Sequence, residues 1–279
     1  MRLPFTKMHG CGNDYIFIEC ADGAIASPGE LSIIISDRHK GIGGDGTVLV
    51  LPSDTADARM RIFNSDGSEG MMCGNAIRCV AKLLYENGSV HKRRMKIETA
   101  SGIREIALNV SLGDVVSARV DMGPAELSPG KIPVALPGDS VIDRRVTIGG
   151  AEYGITCVSM GNPHAVVFTR DVDAIDIGAV GPAFEYSPVF PDRVNVEFAE
   201  PAGPGRLKAR VWERGSGATQ ACGTGAAAVA VAAVLNGVCS RDEEILVRLP
   251  GGELKILCAG GTVYMTGDCV KVFEGIINI

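Results

Sequence analysis

The chain has 279 residues, 46% hydrophobic and 22% charged, enough for one large or two ordinary globular domains with full cores. A formal net charge of −6 argues against nucleic acid or an anionic membrane surface as a partner. The longest apolar stretch, Gly225 to Leu235, is too short to cross a bilayer, and the first residues run into a strand-like segment without the apolar core of a secretion signal.

Strand patterns in the first half cover Tyr15–Glu19, Thr47–Leu51, Met60–Phe63, Met95–Thr99, Glu105–Val110 and Val115–Asp121. The glycine-rich segment Gly41–Gly46 lacks the Gly-Lys-Ser/Thr ending of a phosphate loop, so it reads as a tight turn before a strand. A helix follows Met72-Cys73-Gly74-Asn75-Ala76 and closes at Asn87-Gly88, a glycine C-cap signal. The cluster from Pro124 to Gly130 marks the domain boundary. Strands then recur over Arg145–Ile148, Gly154–Ser159, Ala165–Thr169, Val194–Ala199, Arg206–Trp212, Ile245–Leu249 and Val263–Thr266. Among them a second helix follows Ala221-Cys222-Gly223-Thr224-Gly225 and closes at Asn236-Gly237.

The two Cys-Gly motifs lie 149 residues apart (222 − 73), and so do Gly12-Asn13 and Gly161-Asn162 (161 − 12), each opening a strand. Two echoes at one offset read as a duplicated domain, not a solenoid. One long helix among many short strands per half predicts an α+β fold, with each sheet curled around a central helix. The alanines Ala226, Ala227, Ala228, Ala230, Ala232 and Ala233 suit such a helix, because a slim one lets strand backbones approach.

Nine cysteines, odd in number and without a CxxC pair, read as thiols in a reducing, cytoplasmic setting, and four scattered histidines give no metal site. Cys20, Cys79, Cys157, Cys239, Cys258 and Cys269 lie in apolar or strand-like runs and are expected to be buried and inert, while Cys11 stays undecided. Cys73 and Cys222 each open a helix, where unpaired N–H groups and the helix dipole lower a thiol pKa. Two such thiols point to a base and an acid acting on one substrate.

Beyond these patterns, Lys7-Met8-His9-Gly10-Cys11-Gly12-Asn13-Asp14, Phe63-Asn64-Ser65-Asp66-Gly67, Met72-Cys73-Gly74-Asn75, Met160-Gly161-Asn162-Pro163-His164, Arg193-Val194-Asn195, Trp212-Glu213-Arg214-Gly215 and Ala221-Cys222-Gly223-Thr224-Gly225 occur in one order along nearly the whole chain. In these the chain resembles the diaminopimelate epimerase family of pyridoxal-independent amino acid racemases. The resemblance implies two pseudo-symmetric domains, 1–126 and 127–268, with the C-terminal strand 269–279 crossing back to the first. It implies a cleft site with one cysteine from each domain, no cofactor and no metal, and a homodimer.

Cys73 and Cys222 are then the thiolate and thiol, exchanging roles between the two reaction directions. Gly74, Asn75, Gly223 and Thr224 offer backbone N–H groups to the substrate's α-carboxylate. His164 and Glu213 match polar partners of the α-amino group and the thiols. Asn13, Asn64, Asn162, Asn195 and Arg214 match the residues that hold the distal amino-carboxylate. Ala76 and Ala218 depart from the family's usual glycine and glutamate. The rival readings are a same-fold racemase of another amino acid, such as histidine, and a thiol-switch binding protein.

Overall fold

A computed structural model of the chain describes residues 2–279. In chain order the elements are β1 (Arg2–Gly10), β2 (Asn13–Glu19), α1 (Pro28–Ser36), β3 (Gly46–Leu51), β4 (Ala58–Asn64), β5 (Glu69–Gly70), α2 (Gly74–Glu86), β6 (Arg94–Thr99), β7 (Gly102–Ser111) and β8 (Asp114–Gly123). They continue with β9 (Arg144–Ile148), β10 (Ala151–Ser159), β11 (Pro163–Phe168), α3 (Ile177–Glu185), β12 (Asn195–Pro201), β13 (Arg206–Glu213), β14 (Gly217–Thr219) and α4 (Gly223–Leu235). Last come β15 (Glu244–Leu249), β16 (Gly252–Ala259), β17 (Thr262–Gly267) and β18 (Val270–Asn278). The chain divides into one unit of residues up to Asp121 with Thr266–Ile279, and a second of Met122–Met265.

In the first unit the ladder runs β18–β1–β2–β3–β4–β6–β7–β8, antiparallel except at β2/β3 and β4/β6. In the second it runs β9–β10–β11–β12–β13–β15–β16, antiparallel except at β11/β12 and β13/β15. The parallel steps fall at matching places, and α2 and α4 start and end 149 residues apart (223 − 74 and 235 − 86). Helix α2 packs on β1, β2, β6 and β7, and α4 on β10, β11, β12, β13, β15 and β16. Each sheet therefore wraps one helix, as the pattern of elements predicts.

The wrapping explains the composition of α4. Ala226, Ala227, Ala228, Ala230, Ala232 and Ala233 are all fully buried, so the helix presents no solvent face and must be slim on every side. Both helices stop as expected, with Gly88 (φ 78°) and Gly237 (φ 68°) in the left-handed region after Asn87 and Asn236.

The faces turned away from these helices carry a second layer. In the first unit Ile16, Ile18, Leu49, Leu51 and Phe63 pack with Leu31 and Ile35 of α1. In the second Val194, Val196 and Phe198 pack with Ile177 and Phe184 of α3. The expectation of one helix per half missed α1 and α3. Their sequences are poor helix formers: α1 carries Ile33-Ile34-Ile35, and α3 carries Gly178, Gly181 and Pro182. Packing overrides that tendency, since a Cβ on Gly181 would lie 2.3 Å from the Trp212 ring. Cys79, Cys157 and Cys269 are buried as expected, whereas Cys20, Cys239 and Cys258 are half-buried.

Candidate active site

Period-two alternation on β11, β12 and β13 sends Val196, Phe198 and Trp212 toward α3, and so His164, Asn195, Glu197 and Glu213 toward α4. The same alternation in the first unit turns Asn13 and Tyr15 of β2 toward α2. Each cysteine sits at the N-cap of its helix in extended conformation, Cys73 at φ −133° and Cys222 at φ −114°.

Around Cys73, the thiol donates to Asn13 Oδ1 at 3.5 Å, and Asn75 Nδ2 donates to the same oxygen at 3.2 Å. Asn13 Nδ2 donates to Asp45 Oδ2 at 2.7 Å. Asp45 and Asp14 share Arg38, and Asp14 also pairs with the buried Lys7. The Lys7 and Arg38 cations hold the Asp14 carboxyl below its ordinary range against the burial that opposes them. Beneath the first turn of α2, the fully buried Arg78 donates to Gly74 O, Asn75 Oδ1 and Asp268 O, each at 3.0 Å. Asp268 Oδ1 in turn accepts from the backbone N–H and the thiol of Cys11, whose pKa burial pushes up to about 12. Cys11 is thus an anchoring residue. Asn64 is exposed and donates to Ser68 Oγ at 3.0 Å.

Around Cys222, Sγ accepts from Gly225 N–H and contacts Thr224 Oγ1, both at 3.4 Å, and the Glu213 carboxyl lies close enough for its charge to act on the thiol. Burial above all, then the charges of Glu213 and Glu197, push the Cys222 pKa well above the ordinary value. Desolvation and the two carboxylates thus work against the lowering expected from a helix N-terminus, and favour the thiol form of Cys222. Burial likewise raises the Glu213 carboxyl, opposed by the hydroxyl of Thr219, which donates to Oε1.

His164 Nδ1 lies 2.7 Å from Glu197 Oε1, and Nε2 lies 3.0 Å from Asn162 Oδ1. Asn195 is engaged at both ends, donating to Pro163 O at 2.7 Å and accepting from Arg214 N–H at 2.9 Å. It shapes the turn that presents Arg214, whose exposed guanidinium donates to Asp192 O.

The sequence candidates therefore gather as two sets, each within its own unit: Asn13, Cys73, Gly74 and Asn75 in one, Asn162, His164, Glu213, Cys222, Gly223 and Thr224 in the other. Asp45, Arg78 and Glu197 were not anticipated. For Glu197 a signal existed, a charged residue at a helix-facing strand position where the first copy has Val48 (197 − 149).

The whole chain overlays a phenazine biosynthesis protein of the PhzF family from Bacillus anthracis, with a TM-score of 0.73 at 18% identity and all of both chains covered. It also overlays a hydroxyproline epimerase from Agrobacterium vitis, with a TM-score of 0.68 at 16% identity, covering 99% of this chain and 91% of that one. These likenesses show the fold. The sequence pattern of diaminopimelate epimerase matches residues 5–128 and 156–272. The diaminopimelate epimerase of Desulfovibrio desulfuricans is 53% identical over 99% of this chain and 98% of that one. The chain belongs to the diaminopimelate epimerase family, and is an isomerase.

Proposed function

We propose that this chain interconverts LL- and meso-2,6-diaminopimelate, with Cys73 and Cys222 acting on one α-carbon. The observation that carries the reading is the equivalence of the two cysteines, each the N-cap of the helix its own sheet encloses, in a chain of this family. In the direction that uses Cys222 as acid, the Cys73 thiolate takes the α-proton and the Cys222 S–H bond breaks to deliver a proton to the opposite face. Turnover leaves Cys73 protonated and Cys222 ionised, and the reverse reaction restores both. In that ionised state Thr224 Oγ1 and the Gly225 N–H steady the Cys222 sulfur.

The proton to be removed is very weakly acidic, so the developing charge needs fixed donors. Backbone N–H groups of Gly74, Asn75, Gly223 and Thr224 lie in the first turns of α2 and α4, where no helical acceptor precedes them. They would hold the α-carboxylate as charge spreads into it. His164 and Glu213 serve the α-amino group and Cys222, while Asn13 and Asn162 orient Cys73 and His164. Asn64, Asn195 and Arg214 take the distal amino-carboxylate, with Asn195 acting through the Arg214 backbone.

The reading extends to a homodimer in a reducing cytoplasm. The exposed Val272, Phe273 and Ile276 of β18 support a self-association surface. The test is conversion of LL-diaminopimelate to the meso isomer by the purified chain, followed by chiral chromatography. Cys73→Ala and Cys222→Ala are each expected to abolish it while the protein stays folded. Full activity in either variant contradicts the assignment.

A further inference from the structure

Positions 149 residues apart hold matching places in the two units, so the surroundings of the two cysteines compare residue by residue. Facing α2 stand Tyr15 on β2 and Val48 on β3, below Ala76 in the helix; facing α4 stand His164 on β11 and Glu197 on β12, below Gly225 (164 − 15, 197 − 48 and 225 − 76). A buried carboxylate thus occupies the place of a buried valine, and both are fully enclosed. Enclosing a carboxylate is costly unless something pairs with it.

Its pairing is one-sided. Oε1 takes His164 Nδ1 at 2.7 Å, while Oε2 is buried without a hydrogen-bond partner among the described residues. The helix above is cut to fit: a Cβ on Gly225 would stand 2.6 Å from Glu197 Oε1, whereas Ala76 is accommodated over Val48. Helix α4 has no ionisable side chain, and Thr156 and Val158 are the neighbouring helix-facing residues of β10. The ionisable groups that face the pair are therefore Glu213 on β13 and the Cys222 thiol.

We propose that Glu197 is a positioning residue for the reaction: as a carboxylate it keeps the Nδ1 proton of His164 directed at itself and fixes the ring, leaving Nε2 toward Asn162. An ionised carboxylate accepts only, so Nδ1 must donate. The Asn162 amide can meet Nε2 with its oxygen or its NH2, so the ring can be cationic or neutral without turning. The imidazole thereby answers changes of charge on Cys222 and Glu213 at one defined nitrogen. This proposal rests on the reading of Cys222 as a reacting thiol.

The test joins kinetics with 15N NMR of histidine-labelled protein, the His164 signals being assigned by their absence in His164→Gln. In the unsubstituted chain the ring proton is expected to reside on Nδ1, directed at Glu197. In Glu197→Gln the Nδ1 proton is lost to Nε2, and kcat falls roughly ten- to hundredfold, the range found when the partner of a metal-bound imidazole is removed. KM is expected to change less than about twofold. The double variant Glu197→Val/Gly225→Ala copies the Val48/Ala76 pair, keeps the space filled and is expected to behave alike. Wild-type kcat in Glu197→Gln, or reduced kcat with unchanged His164 signals, overturns the proposal. A chain that does not turn over diaminopimelate at all refutes the functional reading, while the 15N comparison still decides what Glu197 does to His164.

Discussion

Asn13 is turned by Asp45: the 2.7 Å bond from Nδ2 to the carboxylate leaves the amide oxygen as the only group Asn13 can offer to Cys73. An amide has one donor end and one acceptor end, so fixing one fixes the other. Asp45→Asn keeps the size and removes the preference, because an asparagine there can meet either end. The expected loss is about 1–2 kcal/mol of transition-state stabilisation, or roughly 5- to 30-fold in kcat/KM. Unchanged kcat/KM on diaminopimelate would show that the orientation of Asn13 is unimportant.

Arg78 has no solvent exposure and ties Gly74 O and Asn75 Oδ1 to the carbonyl of Asp268. Arg78→Met removes the donors and leaves those acceptors buried. The expected destabilisation is roughly 3–5 kcal/mol, the range for deleting one member of a buried charged set. Urea unfolding of the variant measures it. A cost below about 1 kcal/mol, the size of one ordinary hydrogen bond, would mean the network is not cooperative.

The Cys222 thiol is held in its protonated form partly by the neighbouring Glu213 carboxylate. Glu213→Gln keeps the size and removes that charge, which favours the thiolate. Alkylation of Cys222, followed by mass spectrometry against pH, is therefore expected to shift to lower pH in the variant. A shift to higher pH contradicts the electrostatic assignment.

Burial raises the Cys157 thiol from 9.0 to about 12. Below pH 9 the folded and unfolded chains both keep this proton, so no penalty arises. Between 9 and about 12 only the unfolded chain releases it, and stability falls as pH rises. Compared with Cys157→Ala, the unsubstituted protein should lose about 1.4 kcal/mol more per pH unit in that window. Denaturant unfolding at several alkaline pH values gives the two slopes, and equal slopes would refute the assignment.

The duplication, the enclosed helices and their caps were legible because each leaves a local mark: the shared offset, the alanines after Gly225, and Asn-Gly at both ends. Most strands were legible for the same reason, but β16, and the short β5 and β14, were not among those expected. Helices α1 and α3 were not, since Ile33-Ile34-Ile35 and Gly181-Pro182 favour other conformations until the sheet packs on them. The cysteines and their neighbours in sequence were readable from motifs, but Asp45, Arg78 and Glu197 act across strands. The pKa of Cys222 escaped for a related reason: position on a helix is written in the sequence, whereas burial beside Glu213 and Glu197 is not.

A single turnover of LL-diaminopimelate in deuterated water tests the two-thiol mechanism most directly. The thiol that acts as acid then carries solvent-derived deuterium, so the meso product is expected to contain deuterium at the inverted carbon while recovered substrate keeps its original hydrogen. Product that retains the substrate's own α-hydrogen would mean that one group removes and returns the same proton, and would contradict paired action by Cys73 and Cys222.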